Sequence, residues 1–87
     1  MKKCSELEGN LHEYLQVGDI VDEGFVDHFI NTLPPATMNS EMIQMGEPYS
    51  HVDGKGTYPT IIRTSDGWKY AGNCHRGKSE DLTNRRD

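Results

Sequence analysis

Long apolar runs are missing from this sequence. No stretch comes near the ~18 consecutive apolar residues that a membrane-spanning helix needs. The opening Met1-Lys2-Lys3-Cys4-Ser5-Glu6-Leu7-Glu8 has no apolar centre of the kind a secretory signal carries. The expectation is a protein without a membrane partner and with a cytoplasmic address. Cysteine is scarce as well. The two present, Cys4 and Cys74, stand near opposite ends with no C-x-x-C spacing. A disulfide framework is thereby set aside, and in a reducing compartment both thiols are expected to be free. Closely spaced ligand pairs are absent too, so a zinc site drawn from Cys4, His51, Cys74 and His75 lacks the usual spacing, and neither metal nor cofactor is expected. There is no internal repeat, heptad run or low-complexity tract.

Apolar residues are few overall: 33% of 87 residues are hydrophobic, and the mean hydropathy is -0.78. A chain of this length makes one domain, whose core burial and ordering entropy nearly cancel. Self-association is the expected helper. The net charge of -5 hides a gradient, with a net -8 over residues 1–53 and +3 over residues 54–87. An acidic first half disfavours nucleic acid over most of the surface.

Ser5-Glu6-Leu7-Glu8 has the form of a capping box, and Cys4, Leu7, Leu11, Tyr14 and Leu15 recur at helical spacing up to Gly18. This predicts a first helix, weakened in the middle by Gly9 and Asn10. Asp19 is spaced as the N-cap of a second helix, in which Val21, Phe25, Val26, Phe29, Ile30 and Leu33 share a face until Pro34-Pro35 stops it. After a loop over residues 36–40, Glu41-Met42-Ile43-Gln44-Met45 reads as a short strand, continued by an irregular extended piece over residues 46–52. Asp53-Gly54-Lys55-Gly56 is turn chemistry.

The clearest β signal is Thr57–Thr64, then Ser65-Asp66-Gly67, then Trp68–Cys74, a hairpin pattern with Asp-Gly at the reversal. With Gly67 as the left-handed residue of a three-residue loop, Thr64 pairs with Trp68, Ile62 with Tyr70, Thr60 with Gly72 and Tyr58 with Cys74. Trp68, Ile62, Tyr70 and Tyr58 then face the helices, while Ile61, Arg63, Lys69, Ala71, Asn73 and His75 face outward. Pro59, with no N–H to give, requires an edge or a bulge at its position. From Arg76 onward Leu82 is the one aliphatic residue, which predicts a disordered tail over residues 77–87 behind a single domain over residues 1–76. The expected fold class is α+β: two N-terminal helices on a small antiparallel sheet of about three strands, ending in a C-terminal hairpin.

No motif assigns an activity. Cys74-His75 pairs a thiol with a base, but strand neighbours point to opposite faces, so an enzyme built on Cys74 would need a different histidine. Gly72-Asn73-Cys74-His75-Arg76-Gly77-Lys78-Ser79 matches the phosphate-loop pattern G-x-x-x-x-G-K-S. Such a loop feeds a long helix in an α/β sheet, and the residues after Ser79 do not supply one, so a chance match is expected. The outward basic face suggests, as an alternative, stacking of single-stranded nucleic acid, against which the net negative charge counts. The favoured expectation is a protein-interaction module, with a homodimer as one form of it. The exposed sheet face, with Arg63, Lys69, Asn73 and His75, is the candidate binding surface. Met38, Met42 and Met45 are candidates for an adaptable contact surface, core filling being the ordinary use of at least two of them.

Overall fold

The computed structural model describes residues 1–31, 34–46 and 58–78, without the side chain of His12. Its elements, in chain order, are a 3-10 turn at Cys4–Glu6, a single helical turn α1 at Leu11–Tyr14, strand β1 at Ile20–Val21 and helix α2 at Glu23–Asn31. Strands β2 at Thr37–Met38, β3 at Met42–Gln44, β4 at Tyr58–Thr64 and β5 at Gly67–Cys74 follow. The strands form one antiparallel sheet in the order β1-β5-β4-β3-β2. The fold is α+β but richer in sheet than expected: among the described residues, one helix of more than a turn on five strands replaces two helices on about three. Among the described residues no helix is long and apolar enough to cross a membrane.

The first expected helix fails because the chain's start is tied to β1. The Lys2 N–H donates to the Ile20 carbonyl (2.8 Å), and the Asp22 N–H donates to the Lys2 carbonyl (3.0 Å). One Asp22 carboxylate oxygen takes the Cys4 N–H (3.1 Å), and Gly9 adopts φ +74°, which breaks any helix running through it. The apolar stripe survives without the helix. Leu11 and Leu15 are buried in the core, with Cys4, Leu7 and Tyr14 packed against it.

The second helix starts three residues later than expected. Asp19 caps a turn instead, its carboxylate accepting the Gln16 N–H (3.0 Å). Asp22 is the N-cap, because the oxygen that holds Cys4 also accepts the N–H of Phe25 (3.1 Å), three residues on. Residues Ile20–Val21 thereby become a strand. Phe25, Val26 and Phe29 on α2 pack into one cluster with Val21, Ile43, Ile61 and Tyr70 from the sheet. Leu33, all of the expected extended piece over residues 46–52 except Gly46, and the turn Asp53-Gly54-Lys55-Gly56 lie outside the described residues.

The hairpin reverses through two residues, Ser65 and Asp66, rather than three. Gly67 does take a positive φ (+119°), but already within β5, paired with Thr64. The Thr64 hydroxyl tightens the reversal by donating to the Gly67 carbonyl (2.9 Å) while accepting the Asp66 N–H (3.1 Å). The pairs that follow are Arg63–Trp68, Ile62–Lys69 and Ile61–Tyr70, one residue away from the expected register. Between Ile61 and Thr60 the register shifts, Ala71 being left over, and the expected pairs Thr60–Gly72 and Tyr58–Cys74 are restored. Pro59 sits beside that irregularity, as its missing donor demands.

Cross-strand partners share a face. Ile43, Ile61, Tyr70, Val21 and Trp68 therefore lie on the helix side, and Ile20, Lys69, Ile62, Met42, Gln44 and Thr60 lie on the other. On that second face Gln44 and Thr60 are fully buried as a hydrogen-bonded pair (3.0 Å). The Gln44 amide nitrogen also reaches the carbonyls of His75 (3.0 Å) and Lys78 (3.2 Å), and its oxygen accepts the Gly77 N–H (2.8 Å). The turn His75–Lys78, closed by its own 2.9 Å hydrogen bond with Gly77 at φ +78°, is latched onto the sheet by the Gln44 amide and tied by Arg76, whose Nε donates to the Ala36 carbonyl (3.0 Å). Gly77 and Lys78, assigned to the tail by composition, belong to this turn; residues 79–87 lie outside the described ones.

Replacing Gln44 by Met keeps the bulk but strands the groups it satisfies. We expect a loss of about 2–3 kcal/mol in urea unfolding and faster hydrogen exchange at the Gly77 amide. Gly24→Ala would bring a new Cβ to within 2.9 Å of Cys4 Cβ and 3.2 Å of the Asp22 carboxylate. It should cost about 1–3 kcal/mol in the same measurement, and an unchanged midpoint would contradict this packing.

Candidate functional site

The outward basic face expected from the sequence does not assemble. Arg63 is exposed on the helix side of the sheet, its guanidinium 5.9 Å from the centroid of the Trp68 ring. Lys69 projects from the opposite face as the partner of Ile62 and Ile20. Asn73 pairs with Pro59 and is buried, 3% exposed, its side-chain oxygen without a hydrogen-bond partner. His75 is exposed in the latched turn. The cause is the one-residue difference in register, which moves Arg63 beside Trp68 and sends Ile62 outward with Lys69. Single-stranded nucleic acid stacking, which requires both cations and the rings on one surface, loses its geometric premise.

A different surface results. Across four neighbouring strands the pairings Ile20–Lys69, Lys69–Ile62 and Ile62–Met42 set four side chains in one row on the second face. All four are partly exposed. Beyond one flank of the row is the buried Gln44–Thr60 pair under its turn. Beyond the other is Gly67, where an added Cβ would touch the Ile20 side chain at 3.6 Å, which confirms the side on which Ile20 lies. Shallow clefts occur at both ends: one of about 240 Å³ lined by Asn39, Glu41, Met42, Ile62 and Arg63, and one of about 250 Å³ lined by Met1, Lys2, Gly18, Asp19 and Ile20. Lys69 is the one charged member of the row, and its aliphatic stem extends the apolar surface while its ammonium stays wet. Of the three methionines expected to offer an adaptable surface, Met45 is buried in the core, Met42 belongs to the row and Met38 is 58% exposed on the edge strand β2.

Sequence reasoning missed Ile20 because the helical period of its neighbours claimed it, and it assigned Ile62 to the core because a three-residue loop was assumed. The one signal pointing to the shorter loop is Thr64, whose hydroxyl bridges the reversal.

A third cleft, of about 370 Å³, lies where the hairpin tip meets the start of α2 and includes Ile20, Asp22, Glu23, Asp66 and Trp68. The Asp22 carboxylate is already engaged with two backbone amides. No group of three or more His, Cys, Asp or Glu side chains among the described residues is placed to hold a metal ion. His51, a member of the zinc set weighed above, lies outside them.

Neither thiol is part of a disulfide. Cys74 is fully buried on β5, its Sγ directed at the Ala71 carbonyl (3.6 Å). Cys4 is partly exposed, and burial, reinforced by the Asp22 charge, pushes its thiol pKa up. The phosphate-loop match dissolves as well: Gly72, Asn73 and Cys74 belong to an antiparallel strand, and Gly77 and Lys78 belong to the turn held by Gln44.

Alkylation should follow this geometry. At neutral pH Cys4 is expected to react with iodoacetamide more slowly than free cysteine, because the raised pKa leaves less thiolate, and its rate should keep rising above the pH where an ordinary thiol levels off. Cys74 should react only on unfolding. Site-resolved mass spectrometry reads both, and Cys74 labelling in the native protein would contradict its enclosure.

No known protein family, curated protein or solved structure matches the chain, so its function is to be read from its own geometry.

Proposed function

We propose that this chain is a protein-interaction module that docks a protein partner on the second face of its sheet. The observation supporting this is the row Ile20–Lys69–Ile62–Met42, three apolar side chains around one lysine, in register across four strands and partly open to solvent. Among the described residues, α2 and the N-terminal apolar residues pack against the core on the helix side, and the latched turn sits against Gln44 on the second face.

Apolar side chains on a flat sheet stabilise a complex by leaving water, at about 25 cal/mol per Å². Here the surface is also pre-ordered, since backbone hydrogen bonds fix all four positions before a partner arrives, and this lowers the entropy cost of association. Met42, unbranched and polarizable, can adapt to a partner's contour. The row is short, which suits a transient contact more than an obligate one.

A photo-crosslinking amino acid at position 62, compared with one at Asp27 on the exposed side of α2, tests this in host cells. Position 62 should give a discrete protein adduct that disappears when Ile20→Asp is added, while position 27 gives none. Adducts equal at both sites, or absent at position 62, would remove the proposal.

A further inference from the structure

Lys69 stands inside the row, flanked by Ile20 on β1 and Ile62 on β4. A lysine at the centre of an apolar contact surface must either find a carboxylate or keep its water. Neighbouring strands are ~4.8 Å apart, and this spacing decides what a second copy of the chain would meet. A two-fold axis running along the row sets Lys69 opposite Lys69. A two-fold axis parallel to the strands sets Lys69 opposite Ile62, with the other Lys69 one strand away. Either arrangement confines two ammonium groups to an apolar interface with no carboxylate from the row between them. The ends of the row do not decide the matter, because each cleft there is lined by one acid and one base, Glu41 with Arg63 and Asp19 with Lys2, so the selection falls to Lys69.

Resting on the contact surface proposed above, we infer that Lys69 selects the partner: it rejects a second copy of the chain and accepts a different protein whose apolar surface carries a carboxylate at its centre. Opposite Lys69 such a carboxylate forms a charge-assisted hydrogen bond in a desolvated setting, while Ile20, Ile62 and Met42 exclude water around it. Discrimination thus combines an attractive element for the partner and a repulsive one against self. Self-association, the remedy that composition suggests for a thin core, is blocked on the very face best suited to it.

The chain itself provides a probe of the required chemistry, because Lys69→Glu presents the same apolar surround with a carboxylate in the middle. In sedimentation velocity at low salt, wild type alone and K69E alone should each run as monomers, whereas their equimolar mixture should form a one-to-one dimer. That dimer should be weakened by raising salt from about 50 to about 500 mM and lost when Ile62→Asp is placed in either component. Lys69→Leu alone should dimerise, since the repulsion is gone. Circular dichroism of each variant establishes that it is folded. A wild-type dimer overturns the selection by Lys69; if Ile62→Asp dissolves that dimer, the contact surface itself still stands. A mixture that stays monomeric while Lys69→Leu dimerises also overturns the charge selection and leaves the surface intact. Monomers throughout overturn both.

Discussion

The tight reversal at Ser65-Asp66 is the constraint on which the rest of this structure depends. Two residues in the loop, not three, commit Arg63 to the side of Trp68 and send Ile62 to the opposite face with Lys69. A strand alternates its side chains strictly, so this single choice sorts every residue of the hairpin as far as the irregularity at Ala71. It also decides what the neighbouring strands must contribute, because Ile20 and Met42 are matched to Lys69 and Ile62 by pairing alone. Beyond Ala71 the register returns to the other value, which places Thr60 opposite Gly72.

The N-terminal segment is organised by one carboxylate. Asp22 starts α2 and at the same time anchors Cys4, while the backbone of Lys2 bridges to β1. Two functions in one side chain are economical for so short a domain. The close approach of Cys4 to Gly24 follows from that shared anchor, as does the stacking of Tyr14 on Phe25, with ring centroids 6.0 Å apart. Lys2 adds a cation over the Tyr14 ring at 4.7 Å, on the outer side of the same assembly.

Much of this was legible in the amino-acid pattern, but unevenly. The apolar faces of Phe25, Val26 and Phe29 and the existence of the hairpin were readable because their periodicities extend over enough residues to be unambiguous. The stripe Leu7, Leu11 and Leu15 correctly marked core residues while misidentifying the element that carries them, since apolar spacing specifies burial and tertiary hydrogen bonds specify backbone shape. Two-residue strands such as Ile20–Val21 and Thr37–Met38 leave no periodic trace at all; they exist because a longer neighbour offers free hydrogen-bonding groups. The candidate surface suffered most. Arg63 and Lys69 share a face only in a register that differs by a single residue, a difference that inverts inside and outside in a strand, and the residue left over at Ala71 turns Asn73 to the face opposite Lys69. Gln44, polar and unremarkable in the sequence, turned out to be wholly enclosed because a turn 31 residues downstream supplies its partners.

That enclosed amide touches only main-chain atoms of the turn: two carbonyls and one N–H. It recognises the path of the backbone and is indifferent to the side chains strung along it. His75 and Lys78 can therefore be exchanged for other residues without loosening this fastening, provided that position 77 keeps a residue at ease with a positive φ; Arg76 adds a tie of its own, its Nε donating to the Ala36 carbonyl (3.0 Å). The lettering that imitates a phosphate loop is, in mechanical terms, a strap whose buckle is cut to the shape of the ribbon and not to its colour.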